Sequence, residues 1–114
     1  MALVIQNNEL TSASVNSIRD VVIATDMEHL DMSYNAIGNQ GLIKLCGCIN
    51  RNKCKLRILE LEECAISAKG MINFIEACKF NGSLTSLNFS KNDLSADVTS
   101  NKLTELLQSN YTIK

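Results

Sequence analysis

Apolar residues recur along this chain in one fixed pattern, and the pattern repeats every 28 or 29 residues. With the places of one unit numbered from one to eleven, an aliphatic or aromatic side chain fills places one, four, six and eleven, and Asn or Cys fills place nine. Such a period predicts one structural unit per repeat. The residues at place one are spaced 29, 28 and 29 apart: Met27, Leu56, Leu84 and Ile113.

Each unit is predicted to form one short strand followed by one helix. In the first unit, Val15, Ile18 and Val22 recur at helical spacing, so a helix is expected through about Ala24, with Ser12 or Ser14 as its N-cap. Ser67 and Ser95 are the expected N-caps of the third and fourth helices, and Asn81-Gly82 is the expected end of the third. The apolar residues expected on the buried faces of the second to fourth helices are Leu42, Leu45, Ile49, Met71, Phe74, Ile75, Cys78, Leu103, Leu106 and Leu107.

Neither a strand nor a helix of this length can bury its apolar side alone, so neighbouring units must stack. The predicted fold is α/β: a curved right-handed β-α solenoid of about four repeats, with parallel strands on the concave wall and helices on the convex wall. With 114 residues and 46% hydrophobic content, the chain is expected to form a single domain over 1–114. The expected units are about 1–26, 27–55, 56–83 and 84–112.

Place nine is predicted to hold the bend that follows each strand. Backbone groups lose their ladder partners at such a bend, and a buried amide side chain can both donate to and accept from them. A Cys thiol does this more weakly, so a structural thiol is expected there rather than a reactive one. The residues at this place are Asn8, Asn35, Cys64 and Asn92.

This pattern resembles the ribonuclease-inhibitor class of leucine-rich repeats, which alternates 28- and 29-residue units and often has Cys at place nine. The stretch 35–42 with Leu45-Cys46, and Cys54-Lys55-Leu56, carry the resemblance most clearly. Two outer units differ, because the glycine found at Gly41 and Gly70 is replaced by Ser14 and Val98, so their turns into helix are expected to be remodelled. The class includes inhibitors, NOD-like innate-immune receptors, tropomodulins and Ran GTPase activators. The resemblance therefore implies protein binding on the concave wall and its rim without choosing a partner.

Strand residues that alternate with the buried ones should face the concave side. Asp31, Glu60, Glu62 and Glu63 would then form an acidic patch beside Tyr34, the best single hot-spot candidate. Within it, Asp31 and Glu60 are expected to be near neighbours without a built-in counter-charge. The hypothesis is a protein partner with a basic segment, and the alternative is that these are only solvated strand positions. The full predicted partner-binding set is His29, Asp31, Ser33, Tyr34, Ile58, Glu60, Glu62, Glu63, Asn88 and Lys91, with Arg57 and Lys91 as the nearest cations.

Catalysis and metal binding are not expected. His29, Asp31 and Ser33 resemble a catalytic triad in sequence, but steps of two residues along a strand separate side chains by about 6.6–6.8 Å, beyond hydrogen-bond reach. Cys46 and Cys48 diverge by about 200° on a helix and cannot converge on one ion. No cofactor is predicted; Cys46 and Cys78 are expected in the core, and Cys48 is expected to be the most exposed thiol.

Charge and cysteine content restrict the partner and the compartment. Lys and Arg (11) nearly balance Asp and Glu (12), so neither nucleic acid nor a membrane surface is expected to bind. No apolar run reaches the roughly 18 residues of a membrane span. Five cysteines without a secretory leader favour reduced thiols and a cytoplasmic protein.

Two other functions stay open. A structural unit could assemble into homo-oligomers through open solenoid ends, around Leu3 and Ile5 at one end and Leu106, Leu107 and Ile113 at the other. Regulation of a small GTPase or of actin rests on the resemblance alone. The Ran activators use an arginine from a loop that follows a strand, but no arginine of this chain falls after Asn35, Cys64 or Asn92; its arginines are Arg19, Arg51 and Arg57.

Overall fold

Strands and helices alternate along the chain, as the repeat predicts. The computed structural model describes residues 2–49, 54–78, 84–92 and 112–113. The elements are β1 (Ala2–Val4), α1 (Val15–Ala24), β2 (His29–Asp31), α2 (Gly38–Ile49), β3 (Ile58–Glu60), α3 (Ala68–Cys78), β4 (Ser86–Asn88) and β5 (Thr112–Ile113). The predicted fourth helix, its cap at Ser95, its core residues Leu103, Leu106 and Leu107, and the expected helix end at Asn81-Gly82 lie outside the described residues. So do the side chains of Cys48 and Cys78.

The strands form one parallel sheet in the order β1-β2-β3-β4-β5. Leu3, Leu30, Leu59 and Leu87, the residues at place four, lie opposite one another in register. Ile113 pairs with Leu87, so it occupies place four and not the predicted place one. The 29-residue spacing from Leu84 was therefore misleading: the segment between these two strands is shorter, and strand pairing rather than sequence distance sets the register.

The core lies between the sheet and the helices. In the second and third units the residues at places one, four, six and eleven are all buried, as predicted. The described inward residues of α1, α2 and α3 are buried as well, and Phe74 is among the largest side chains with almost no exposure. α1 packs on α2 and α2 packs on α3, so each unit completes its core with its neighbours.

The two predicted N-caps in the described part behave differently. Ser67 precedes α3, and its Oγ accepts a hydrogen bond from the Gly70 N–H at 3.3 Å. Ser14 precedes α1, but its Oγ accepts from the Thr11 N–H at 3.1 Å and caps nothing in the helix. A cap residue usually has extended backbone, whereas Ser14 is already helical, so its hydroxyl is directed back toward the preceding turn.

Candidate partner-binding site

A residue with left-handed backbone follows every one of the first four strands, at place eight. The φ angles are 53° at Asn7, 62° at Tyr34, 50° at Glu63 and 59° at Lys91. Positive φ is uncommon for residues other than glycine. The turn therefore fixes the direction of the side chains at these four positions. We call these four residues the rim row. Sequence reasoning missed this geometry, although the constant place eight, directly before Asn or Cys, was its available signal.

Asn35 holds the turn between the first and second units. Its Nδ2 donates to the carbonyl oxygens of Ile5 (2.9 Å) and Met32 (2.9 Å), and more weakly to that of Ser33 (3.2 Å). Its Oδ1 accepts from the backbone amides of Asn8 (2.8 Å) and Leu10 (3.1 Å). One buried amide thus serves five backbone groups across two units, as place nine predicts.

Asn92 repeats this arrangement between the third and fourth units. Its Oδ1 accepts from the amides of Cys64 (2.8 Å) and Ile66 (3.1 Å), and its Nδ2 donates to carbonyls of Leu61, Phe89 and Ser90. Asn8 differs, because it is exposed, and among the described residues its Nδ2 donates to the Gln6 carbonyl alone, at 3.1 Å. The expectation of a buried polar side chain was therefore wrong for Asn8, which lies on the edge strand's turn.

Cys64 performs only the donating half of this role. Its Sγ lies 3.3 Å from the Met32 carbonyl oxygen and 3.6 Å from that of Glu62. A thiol has no amide oxygen that could accept hydrogen bonds from the second unit. In that unit the Ile37 N–H instead donates to the carbonyl of Asn35, within the same turn, at 2.8 Å. The predicted structural role of the thiol agrees with this geometry.

Burial raises the pKa of Cys64 from 9.0 to about 11. The neutral thiol is thus favoured in the folded chain, and its stabilising contribution is complete below pH 9 and is lost as pH rises through about 11. We expect the free energy of unfolding to fall by about 1 kcal/mol per pH unit across this window through this group. Urea unfolding at pH 8 to 10.5 should show a steeper decline for the wild type than for Cys64→Ala. Parallel curves for the two proteins would contradict this account.

Two of the predicted partner-contact residues are not accessible. Asp31 is 4% exposed and Ser33 is 2% exposed. Asp31 accepts hydrogen bonds from the Gln6 side-chain amide and from the Ser33 N–H, while the Ser33 Oγ accepts from the Glu62 N–H at 3.1 Å. Alternation placed these residues on the expected face, but neighbouring strands cover them, so their assignment to a contact surface was wrong.

Two basic side chains contact the acidic patch, and one of them is Lys91, which the sequence already named as a nearby cation. His29 Nε2 lies 2.5 Å from Glu60 Oε2, on the neighbouring strand. Lys91 Nζ lies 3.4 Å from Glu62 Oε1. Lys91, one of the two cations expected near the patch, thus pairs with Glu62, while Glu60 shares a hydrogen bond with His29 on the neighbouring strand.

Lys91 also reaches across Glu63 to Tyr34. Its Nζ donates to the Tyr34 hydroxyl oxygen at 3.4 Å and lies 5.6 Å from the centre of the Tyr34 ring. The hydroxyl of Tyr34 and the carboxylate of Glu62 raise the pKa of Lys91. The ammonium group thus bridges the second and fourth units, while the Tyr34 side chain remains 36% exposed.

The remaining predicted residues lie around these pairs. Ile58, Glu60, Glu62 and Asn88 are half-buried, and Glu63 is exposed without an ion pair among the described residues. Arg57 pairs outside the patch, at 3.9 Å from Glu28. Val4 is not among the predicted contact residues, although it pairs with Asp31 and is 60% exposed at one side of the sheet.

The described residues form neither a metal-binding cluster nor a membrane-spanning helix. Among them, no three His, Cys, Asp or Glu side chains are gathered to hold a metal ion. The Ser33 Oγ accepts from a backbone amide, and His29 faces Glu60 rather than Ser33. In the same part of the chain, no helix has the length and apolar content that crossing a bilayer requires.

Comparison with known families matches the Leucine Rich repeat to residues 24–46, 52–74 and 80–97. Mouse ribonuclease inhibitor (Mus musculus) is 34% identical over 94 residues, which are 82% of this chain and 21% of that protein. The NACHT, LRR and PYD domains-containing protein 3 of Rattus norvegicus is 34% identical over 89 residues, or 77% of this chain and 9% of that protein. The chain thus spans about a fifth or less of the length of these relatives.

A solved structure of similar fold is the Leiomodin-1 Actin-Binding Site 2, with a TM-score of 0.84. It is 16% identical to this chain, and the match covers 99% of this chain and 69% of that one. At this level of identity the match shows the fold alone. Together with the repeat matches, it confirms the predicted α/β solenoid, with the strands on a concave wall.

Proposed function

This chain belongs to the leucine-rich-repeat family, and from that premise we propose that it is a non-enzymatic module that binds a protein partner through its concave strand face and the adjoining rim. Leucine-rich repeats are a family of protein-interaction modules, represented here by ribonuclease inhibitor and NACHT-containing relatives. The partner's identity is not encoded in the fold, because one fold serves many functions. The proposal therefore has to rest on particular side chains.

The position of Glu60 and Glu62 is the observation that carries the proposal. Both lie in the third unit, between strands on either side, and both keep partly exposed carboxylates. Registered pairing with β2 and β4 fixes the backbone of Glu60. The backbone of Glu62 is held by hydrogen bonds with the Tyr34 N–H and the Ser33 Oγ. A rigid carboxylate row needs little ordering when a partner binds, which favours affinity.

A basic segment is the partner chemistry that best fits this row. Lys91 already places an ammonium group 3.4 Å from Glu62 and above the Tyr34 ring. A lysine or arginine of the partner would make the same kinds of contact, an ion pair together with a cation–π interaction. We therefore expect the partner to displace Lys91 and to use Tyr34 as its aromatic contact.

The accessible part of the predicted site is smaller than the sequence indicated. Its members are His29, Tyr34, Ile58, Glu60, Glu62, Glu63, Asn88 and Lys91, with Val4 added at one side. Asp31 and Ser33 act beneath them, since they hold Gln6 and the Glu62 amide. We propose no catalytic role for this surface.

A cytoplasmic location is part of the proposal. Cys54 and Cys64 are free thiols in the described part of the chain, which fits a reducing compartment. The actin-binding site named for the leiomodin structure concerns that protein, and actin is here one possible outcome of the partner search rather than an inference.

Charge reversal tests the proposed surface. We expect Glu60→Lys combined with Glu62→Lys to weaken capture of the partner at least about tenfold, because two attractive charges become repulsive. The measurement is quantitative pull-down from cell lysate with wild type and variant in parallel, followed by titration of the captured protein. Asp20→Lys combined with Glu76→Lys changes the net charge equally on exposed helix positions and should leave capture unchanged.

Lys91→Met should have the opposite effect on partner capture in the same experiment. Removing the ammonium group that pairs with Glu62 should strengthen capture several-fold, whereas Lys55→Met, at an exposed pair with Asp26, should have no effect. The proposal is contradicted if the Glu60/Glu62 double variant and the Asp20/Glu76 control reduce capture equally, or if neither reduces it. The concave face would then not be the binding surface.

A further inference from the structure

A groove of about 440 Å³ opens between the turns of the second, third and fourth units, beside the rim row. Ala36 and Ala65 line it, and both are exposed residues at place ten. Ile66 also lines the groove and is only 1% exposed, so the floor is apolar. Glu63 and Lys91, two members of the rim row, provide its charged groups. We call this surface the rim groove.

The backbone beneath the rim groove is held in place by hydrogen bonds. Ala65 has left-handed backbone, with φ 59°, and Asn92 Oδ1 accepts from the amides on either side of it. These are the amides of Cys64, at 2.8 Å, and of Ile66, at 3.1 Å. In the first unit, place ten holds the longer side chain of Glu9 instead. The groove thus results from small residues on a fixed turn, and such a surface needs little ordering when it binds a ligand.

Glu63 gives the rim groove a negative charge. It is exposed and makes no ion pair among the described residues. Lys91 does not neutralise it, because its Nζ lies 3.4 Å from Glu62 Oε1 and donates to the Tyr34 hydroxyl oxygen at 3.4 Å. An apolar floor beside a carboxylate is complementary to a side chain that has an aliphatic stem and a cationic head. Lysine and arginine have this composition.

Arginine fits the rim groove better than lysine for two reasons. Its planar guanidinium can donate two parallel hydrogen bonds to the carboxylate of Glu63, whereas an ammonium group acts as a point charge. A guanidinium is also more weakly hydrated, so less bound water has to be removed when it lies close to the apolar floor. The expected ligand is therefore an arginine side chain.

We infer that the rim groove binds one arginine side chain of the protein partner, with its stem on the apolar floor and its guanidinium on Glu63. The inference rests on the proposed function and deepens it, because the basic segment expected over Glu60 and Glu62 would then contain an arginine. Ala36 and Ala65, which the sequence pattern did not single out, become specificity-determining residues, since their small side chains leave room for the stem.

The test is an NMR titration of the isotope-labelled full chain with N-acetylarginine methylamide as the probe. We expect saturable shifts at the amides of Ala36, Ala65 and Ser67, with a Kd of about 1–10 mM. N-acetylcitrulline methylamide has a similar shape without the charge and should bind at least about tenfold more weakly. N-acetylnorleucine methylamide carries an aliphatic stem alone and should bind as weakly as the citrulline probe.

Two variants separate the charge of the rim groove from its shape. Glu63→Gln should weaken binding of the arginine probe about tenfold, whereas Glu9→Gln, which removes the same charge at an exposed position of the first unit, should not. Ala36→Leu fills the groove and should abolish the shifts, whereas Ala24→Leu, at the exposed end of α1, should not. Unchanged amide signals of β2 and β3 establish that each variant keeps the fold.

Three results would overturn the inference. The arginine probe could leave the amides of the rim groove unmoved, the norleucine probe could bind equally well, or neither Glu63→Gln nor Ala36→Leu could weaken binding. Failure here is distinguishable from failure of the proposed function, because the probe titration reports on the groove and partner capture by the Glu60/Glu62 double variant reports on the concave carboxylates. Shifts confined to the amides of Glu60 and Glu62 would reject the groove while agreeing with the concave face.

Discussion

Replacing Asn35 with alanine is expected to lower the free energy of unfolding by about 3–4 kcal/mol. The amide of Asn35 is 1% exposed and makes hydrogen bonds to five backbone groups. Alanine would leave several of these groups without a partner in a site that holds two units together. Since a small domain is stable by only about 5–15 kcal/mol, a large part of its stability would be lost.

Urea unfolding followed by circular dichroism measures this effect. Asn8→Ala is the matched control, because Asn8 occupies the same place of its unit but is exposed, and in the described part of the chain its side chain bonds to the Gln6 carbonyl alone. We expect Asn8→Ala to lower the free energy of unfolding by less than about 1 kcal/mol. Asn35→Cys should fall between the two, since Cys64 shows that a thiol can donate at this place. Equal losses for Asn8→Ala and Asn35→Ala would show that the hydrogen-bond network does not set the stability.

Two glycines of α2 are expected to respond to alanine with opposite signs. A Cβ at Gly41 would lie 2.8 Å from the Ile37 Cβ and 3.2 Å from the Val15 Cγ2. Neither contact is with the flexible end of a long side chain, so the backbone of the helix would have to shift away from the neighbouring unit. We expect Gly41→Ala to destabilise the chain by about 1–2 kcal/mol after allowing for the higher helix propensity of alanine.

Gly47 lies in the same helix, and a Cβ there would meet nothing within 4 Å. Gly47→Ala should therefore stabilise the chain by about 0.5–1 kcal/mol, through reduced conformational freedom of the unfolded chain and better helix propensity. Thermal and urea unfolding of both variants measure the difference of about 1.5–3 kcal/mol between them. Stabilisation by both substitutions would mean that the α1–α2 contact is looser than the distances indicate.

Alternation along the strands predicted which residues share a face of the sheet, but it did not predict which of them are accessible. Alternation along a strand tells which side a residue faces, and the pairing of Asp31 with Glu60 agrees with that expectation. It does not tell whether a neighbour covers the residue, as Gln6 covers Asp31. Whether the accessible residues bind a partner stays a prediction.

The contacts that Lys91 and His29 make with residues of other units could not be predicted from the sequence either. The bridge from Lys91 to Tyr34 spans 57 positions in sequence, and that from His29 to Glu60 spans 31. A local sequence pattern cannot predict contacts between residues that are so far apart in the chain. These contacts depend on the displacement from one unit to the next and on the left-handed turn at place eight. Only the assembled sheet brings these side chains together.

The sequence by itself determined the repeating unit, its buried residues and the register of β2 to β4, because the same apolar places recur and only one stacking buries them all. It misplaced Ile113, where the interval between strands shortens and pairing with Leu87 takes over. The tertiary structure alone decided which polar groups remain free. Place nine looks equivalent in every unit, yet the burial and bonding of its residue differ: Asn35 bonds to five backbone groups of two units, whereas Asn8 is exposed and, among the described residues, its side chain bonds to the Gln6 carbonyl alone.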